Sequence, residues 1–110
     1  MPARYKLSVN VPVSHADAVR KAIGDAGAGR AEHYSHCSFS LRGMGRFTPI
    51  AGASPYIGQV GVAETVEEEQ IQTDLLEADI RPVLAAMRAA HPYEEIGFEL
   101  VRLVDTDAFL

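Results

Sequence analysis

The chain has 110 residues, 47% hydrophobic and 23% charged, and its 10 basic and 15 acidic side chains leave a formal net charge of -5. That length fits one domain, the apolar content excludes intrinsic disorder, and the single Cys37 excludes an intrachain disulfide scaffold. No basic stripe offers itself to a phosphate backbone, which argues against a nucleic-acid partner. No apolar run approaches the roughly 20 residues of a membrane span, and the opening residues lead into strand-like alternation with no signal-peptide core. A cytoplasmic protein with no membrane association is expected.

In chain order, Tyr5, Leu7, Val9 and Val11 alternate with Lys6, Ser8 and Asn10, the period of a half-buried strand, and Pro12 ends it. Ser14, three residues before Asp17, is the expected N-cap of a first helix. Its apolar stripe is Ala16, Val19, Ala22, Ile23 and Ala26, and Gly27 and Gly29 supply the stop. Cys37, Phe39 and Leu41 then alternate with Ser38, Ser40 and Arg42 as a second strand. Residues 43–58 carry four glycines and two prolines interleaved with Met44, Phe47, Ile50, Tyr56 and Ile57. That pattern is a long structured loop, a type that is usually functional or packed on a partner.

A third extended segment runs from Gln59 to Leu75. Because Glu67, Glu68 and Glu69 fall within it, either a bulge interrupts the strand or one carboxylate points to a subunit interface. The second helix shows Ile80, Val83, Leu84 and Met87 on one stripe, tolerates Pro82 near its start, and stops at His91-Pro92. Ile96, Phe98 and Leu100 alternate as the last strand. The order strand–helix–strand–strand–helix–strand, with the two helical stripes at a constant offset, predicts an α+β ferredoxin-like βαββαβ sandwich: a four-stranded antiparallel sheet with two helices on one face. One domain is expected over residues 1–104, followed by a peripheral tail at 105–110.

Ligand-type residues gather at His33-Tyr34-Ser35-His36-Cys37, entering the second strand, and at His91-Pro92-Tyr93-Glu94-Glu95, entering the fourth. Imidazole, thiolate and carboxylate suit first-row divalent metals such as Zn or Cu. His36, Cys37, His91, Glu94 and Glu95 are therefore the candidate metal ligands. Each also has a structural reading. Cys37 in phase with Phe39 and Leu41 reads as a small core residue, His91 as a helix-end residue facing the last carbonyls, His15 as solvent-facing, and the glutamate triplet as a solvated face. No G-x-S-x-G elbow and no phosphate-cradling glycine motif is present.

Gly27-Ala28-Gly29-Arg30, the His33 to Phe39 string, Gly45-x-Phe47-x-Pro49, Ser54-Pro55-Tyr56-Ile57-Gly58, Val66-Glu67-Glu68 and the His91 to Glu95 string together resemble a family pattern. It is that of the PII/CutA-like domain inserted in YqfO-type proteins, the family named after the NGG-interacting factor and also called GTP cyclohydrolase I type 2 homologues. The resemblance runs from about Tyr5 to Leu103. It implies a stand-alone copy of the insert, a homotrimer with clefts between subunits, and a 43–58 loop placed like the mobile loop of PII proteins, where a protein partner would dock. His33, Glu68, Tyr93, Phe47 and Pro55 are its candidate ligand or loop residues, to cluster with the metal candidates where the two strand entries meet. The dinuclear centre of the larger proteins lies in flanking domains, so the enzyme name does not transfer. A non-enzymatic binding or regulatory module is therefore expected, holding a divalent metal or small ligand between subunits. A metal-dependent hydrolase, or a pure protein-interaction domain, is the alternative.

Overall fold

The computed structural model describes residues 2–110. Four strands, β1 (Arg4–Pro12), β2 (Phe39–Phe47), β3 (Glu64–Leu76) and β4 (Phe98–Arg102), form one sheet in the order β2-β3-β1-β4, and every pairing is antiparallel. Helices α1 (Val13–Asp25) and α2 (Ile80–Ala90) cross one face. The fold is the α+β ferredoxin-like sandwich that the periodicities imply.

The core shows why. Leu7, Val9 and Val11 of β1 with Ile71 and Leu75 of β3 point to the helices, and Ala16, Val19 and Ile23 of α1 with Val83 and Met87 of α2 meet them; all are buried. Each Leu, Ile, Val or Met so removed from water contributes about 1.5–3 kcal/mol before chain entropy is counted. Pro82 falls in the first turn of α2, where its missing N–H breaks no helical bond. His91 stops the helix with φ -83° and ψ 135°, the extended backbone that the residue before a proline adopts.

Several boundaries differ from the sequence expectation. α1 begins at Val13 directly after Pro12 with no side-chain cap; the Ser14 hydroxyl lies 2.8 Å from His15 Nδ1 instead, and Asp17 pairs with Arg20 at 2.8 Å. β2 continues through Gly43 and Gly45 to Phe47, so the first residues of the expected loop are strand and the connection runs over 48–63. β3 has no bulge, since its register is continuous from Phe39↔Gln72 to Phe47↔Glu64 and from Arg4↔Leu76 to Pro12↔Glu68. The glutamates simply alternate. Glu67 pairs with Arg42, Glu69 pairs with Arg20 at 3.0 Å, and Glu68 is buried.

Phe39 and Leu41, opposite Gln72 and Gln70, lie on the face away from the helices and are 63% and 47% exposed. Cys37 is exposed too, which overturns its reading as a core residue. The period was that of a strand, but β2 begins at Phe39 and its register on β3 turns this stripe to the open face.

The α1–β2 connection depends on Gly29. At φ +77° it donates to the Asp74 carbonyl at 2.7 Å and accepts from the Cys37 amide at 2.9 Å, and a Cβ there would strike the Cys37 backbone. Gly52 also has positive φ, at +99°, but nothing lies within 4 Å of its missing Cβ. Gly29→Ala is expected to cost roughly 2–4 kcal/mol and Gly52→Ala about 1 kcal/mol, read by urea unfolding. Equal costs would show that the clash is relieved by the surrounding chain.

Candidate functional site

Two loops close a cleft of about 530 Å³ at one end of the sheet, the β2–β3 connection on one side and the α2–β4 connection on the other. Of the residues picked out from sequence, Phe47, Pro55, Glu68, Tyr93, Glu94 and Glu95 line it.

The cleft is built outward from Glu68. This side chain, 8% exposed, accepts a 2.9 Å hydrogen bond from the Tyr93 hydroxyl on Oε2. A Cβ on Gly45 would overlap Glu68 Oε1, so the glycine is the space in which the carboxylate lies. Burial, and then the bond to Glu68, push the Tyr93 hydroxyl pKa well above its ordinary value. Tyr93 is also the centre of an aromatic group: Phe47 stands 6.0 Å from its ring, Tyr56 6.4 Å and His91 4.9 Å. His15, expected in solvent, meets Tyr56 edge-on at 5.7 Å.

His91 supports the cleft from behind. It is 6% exposed; Nε2–H donates to the Asn10 carbonyl at 2.7 Å, and Nδ1 accepts the Tyr93 backbone N–H at 3.1 Å. Both ring nitrogens are thus engaged, and the pair of bonds defines a neutral tautomer. Burial lowers the His91 pKa, outweighing the opposing pull of the Asn10 carbonyl and Glu68. The loop is tied across the opening by the Ser54 N–H, which donates to Glu94 Oε1 at 2.9 Å, and closed on itself by the Gly61 N–H, which donates to the Pro49 carbonyl at 2.8 Å.

The expected meeting of the two strand entries does not occur. β2 and β4 are opposite edges, separated by β3 and β1, roughly 14 Å at the strand spacing. The register also sends the β2 entry toward the Leu76 end of β3 and the β4 entry toward the Glu68 end. His36, at φ +58°, lies against Gly24 with Nε2 2.8 Å from Asp25 Oδ1; Lys21 first and His36 second hold the Asp25 carboxyl below its ordinary pKa. Cys37 lines a separate cleft with Arg4, Lys6 and Arg30. His33 is exposed, 3.7 Å from Glu32. Among the described residues no three His, Cys, Asp or Glu side chains converge on a point, and His91 has no free lone pair. Within one chain these residues do not fit a metal ion.

Asn10, Gly45 and His15 were not among the candidate site residues. Gly45 stood only in the family motif Gly45-x-Phe47-x-Pro49, within the expected loop, and His15 was expected in solvent.

No protein-family model matches the chain. The fold defines a PII/CutA-like domain. A periplasmic divalent cation tolerance protein CutA from Archaeoglobus fulgidus superposes with a TM-score of 0.66 at 14% identity, covering 97% of this chain and 91% of that one. Bacillus subtilis GlnK, solved as an ATP complex, gives 0.62 at 8% identity, covering 92% and 82%. In sequence, the chain is homologous to one segment of the GTP cyclohydrolase 1 type 2 homologues. It is 46% identical over 101 residues to that of Halalkalibacterium halodurans, 92% of this chain and 27% of the relative. The Mycobacterium tuberculosis protein is 48% identical over 99 residues, 90% and 26%. A Bacillus cereus protein related to NIF3 superposes with a TM-score of 0.83 at 44% identity, covering 94% of this chain and 26% of that one. The chain therefore spans about a quarter of the length of these relatives.

Neutral buried His91 makes stability depend on pH with a definite sign. Its folded pKa lies below the ordinary 6.5, so its contribution is complete above that value and is lost as pH falls from there toward the folded pKa. His91→Gln keeps an N–H for the Asn10 carbonyl and does not titrate. Between about pH 7.5 and about pH 5 wild type should lose more unfolding free energy than His91→Gln. His91→Ala should cost about 1–3 kcal/mol at the higher pH by leaving that carbonyl unpaired. Parallel pH curves for wild type and His91→Gln would refute the neutral tautomer.

Proposed function

We propose that this domain is a non-enzymatic binding module that takes a small ligand in the Glu68–Tyr93 cleft and reports its occupancy through the β2–β3 loop. The observation that carries this reading is the buried carboxylate of Glu68 at the floor of a preformed cavity whose wall is the loop itself. Ligand pockets are concave, mostly apolar, and carry a few placed polar groups. This cleft matches that description with Phe47, Ile50, Pro55, Tyr56 and Ile57 around the carboxylate. A ligand seated against Tyr56 and bonded near Glu94 would bear directly on the loop tie at Ser54. Ile50, Tyr56, Val60 and Val62 are exposed along the loop and are the surface through which a partner protein would sense that change. The enzymatic name belongs to relatives about four times as long.

We also propose self-association into a trimer through the open face of the sheet. That face carries Phe39, Leu41 and Val101, each close to or more than half exposed, around a polar ladder in which Gln72 bonds Gln70 at 2.8 Å and Gln70 bonds Asn10 at 3.0 Å. Water-exposed apolar groups beside amides with unused capacity are suited to a second copy.

A second reading, a divalent cation held between subunits, draws on the likeness to CutA. It would use the exposed Glu94 and Glu95 of one protomer with groups of another, as His91 is engaged.

Native mass spectrometry tests the assembly. A trimer is expected, reduced to monomer by the Phe39→Asp/Leu41→Asp pair with both helices retained by circular dichroism; a monomeric wild type refutes it. The same spectra with zinc or copper added decide the second reading: about one metal per subunit, lost in Glu94→Ala/Glu95→Ala, would establish it. For the cleft, a fragment set of neutral, anionic and cationic compounds is screened by NMR. Hits are expected to move Phe47, Tyr56 and Tyr93 resonances. Hits confined to the cleft beside Cys37, or none, would sink the assignment.

A further inference from the structure

We infer that the ligand group recognised at Glu68 is a primary ammonium carried on a small aliphatic body. This rests on the reading of the Glu68–Tyr93 cleft as a ligand site and specifies its chemistry. Three observations lead to it.

The first is the state of the Glu68 carboxylate. It is more than nine-tenths buried and lines the cleft. Oε2 is held by the Tyr93 hydroxyl, while Oε1, the oxygen accommodated by Gly45, takes no donor from the described residues and, as no buried side-chain oxygen among them lacks a partner, is reached by solvent. A carboxylate that is mostly out of water, with one oxygen left to solvent, favours a charged donor at that oxygen. Because only one oxygen is free, the two-pronged fork of a guanidinium has no matching acceptor pair, whereas an ammonium bonds as a point donor.

The second is the wall. Phe47, Tyr93 and Tyr56 are consecutive neighbours at 6.0 and 6.4 Å, so the space beside Glu68 is bounded by contiguous aromatic rings. Ring faces attract a cation within about 6 Å, more strongly when it is desolvated, and pack on a methylene chain.

The third is the sign of the field. Glu94 and Glu95 line the same cleft, and Glu95 has no ion-pair partner among the described residues. Arg46 also borders it but alternates to the opposite face of β2 from Gly45 and Phe47. An anionic ligand would meet three carboxylates. A calcium or magnesium ion would find one oxygen of Glu68 and two exposed carboxylates among aromatic rings where it takes six or more oxygens, and no three His, Cys, Asp or Glu side chains converge among the described residues, as a zinc site would need.

The test is an NMR titration of the full chain with four probes: n-butylammonium, tetramethylammonium, n-butanol and butyrate. Saturable movement of the Tyr56, Phe47 and Tyr93 ring signals by n-butylammonium is expected, with tetramethylammonium, which has no N–H, roughly tenfold weaker. Glu68→Gln keeps the shape and the Tyr93 bond but not the charge, and should weaken n-butylammonium roughly tenfold or more. Tyr56→Ala, on the loop and away from the core, should weaken it severalfold and serves if Glu68→Gln does not fold. Equal affinity for the two ammonium ions, or an unchanged affinity in Glu68→Gln, overturns the inference. Butanol or butyrate binding in the cleft while n-butylammonium does not overturns the ammonium assignment and leaves the ligand cleft standing. No movement by any probe overturns both.

Discussion

A carboxylate held almost wholly out of water is the constraint on which the functional end of this domain depends. Glu68 reaches that position because the core leaves β3 no other register. Ile71, Thr73 and Leu75 must face the helices opposite Val9, Leu7 and Tyr5, and a slip of one residue would turn the whole set to solvent. With those positions settled, alternation sends Glu69 to Arg20 on the helix side and Glu68 to the other. Hydrophobic burial of the order of several kcal/mol thus holds a charge where it would not go by itself.

The surroundings of Glu68 follow from that placement. A residue with a Cβ at position 45 would occupy the carboxylate's space, so the edge strand carries glycine there despite the entropic disadvantage of glycine in a strand. The α2–β4 connection brings in the one compensating donor, the Tyr93 hydroxyl. Tyr93 in turn is held by its own backbone N–H on His91, and His91 by the Asn10 carbonyl. The chain Asn10–His91–Tyr93–Glu68 links β1, the end of α2 and β3, and it leaves Glu68 Oε1 to solvent. An acceptor left to solvent at the end of an otherwise saturated network is where an external donor fits.

The loop over 48–63 is organised rather than loose. Its base is closed by the Pro49–Gly61 bond, its middle is tied to Glu94, and Tyr56 lies between His15, which meets it edge-on, and Tyr93. Few of these contacts bury large apolar area, and the loop's own Ile50, Val60 and Val62 are exposed. A segment held by a handful of polar ties can be repositioned at small free-energy cost. That distinguishes it from the β1–β3 centre of the sheet, where Leu7, Val9 and Ile71 are fully buried.

The alternation of Tyr5 to Val11, the helical stripes, and the stops at Gly27, Gly29 and His91-Pro92 determined the element order and, with it, the α+β sandwich, because periods of 2 and 3.6 residues are local properties of the chain. The residues of the cleft were legible as chemistry-bearing types, Glu68, Tyr93, Glu94 and Glu95 among them. Which of them meet was not. Strand order and direction are long-range pairings, and these set the His36–Cys37 segment and the His91–Glu95 segment at opposite edges and ends of the sheet. Two similar ligand-rich strings in sequence became two separate places. The same holds for Phe39 and Leu41: their period marks a strand, but only the register of β2 on β3 decided that they lie on the face away from the helices. His91, a ligand by residue type, became a structural donor because tertiary contacts with Asn10 and Tyr93 consume both its nitrogens. Local pattern determines what each segment is, and only the packed sheet decides what each side chain touches.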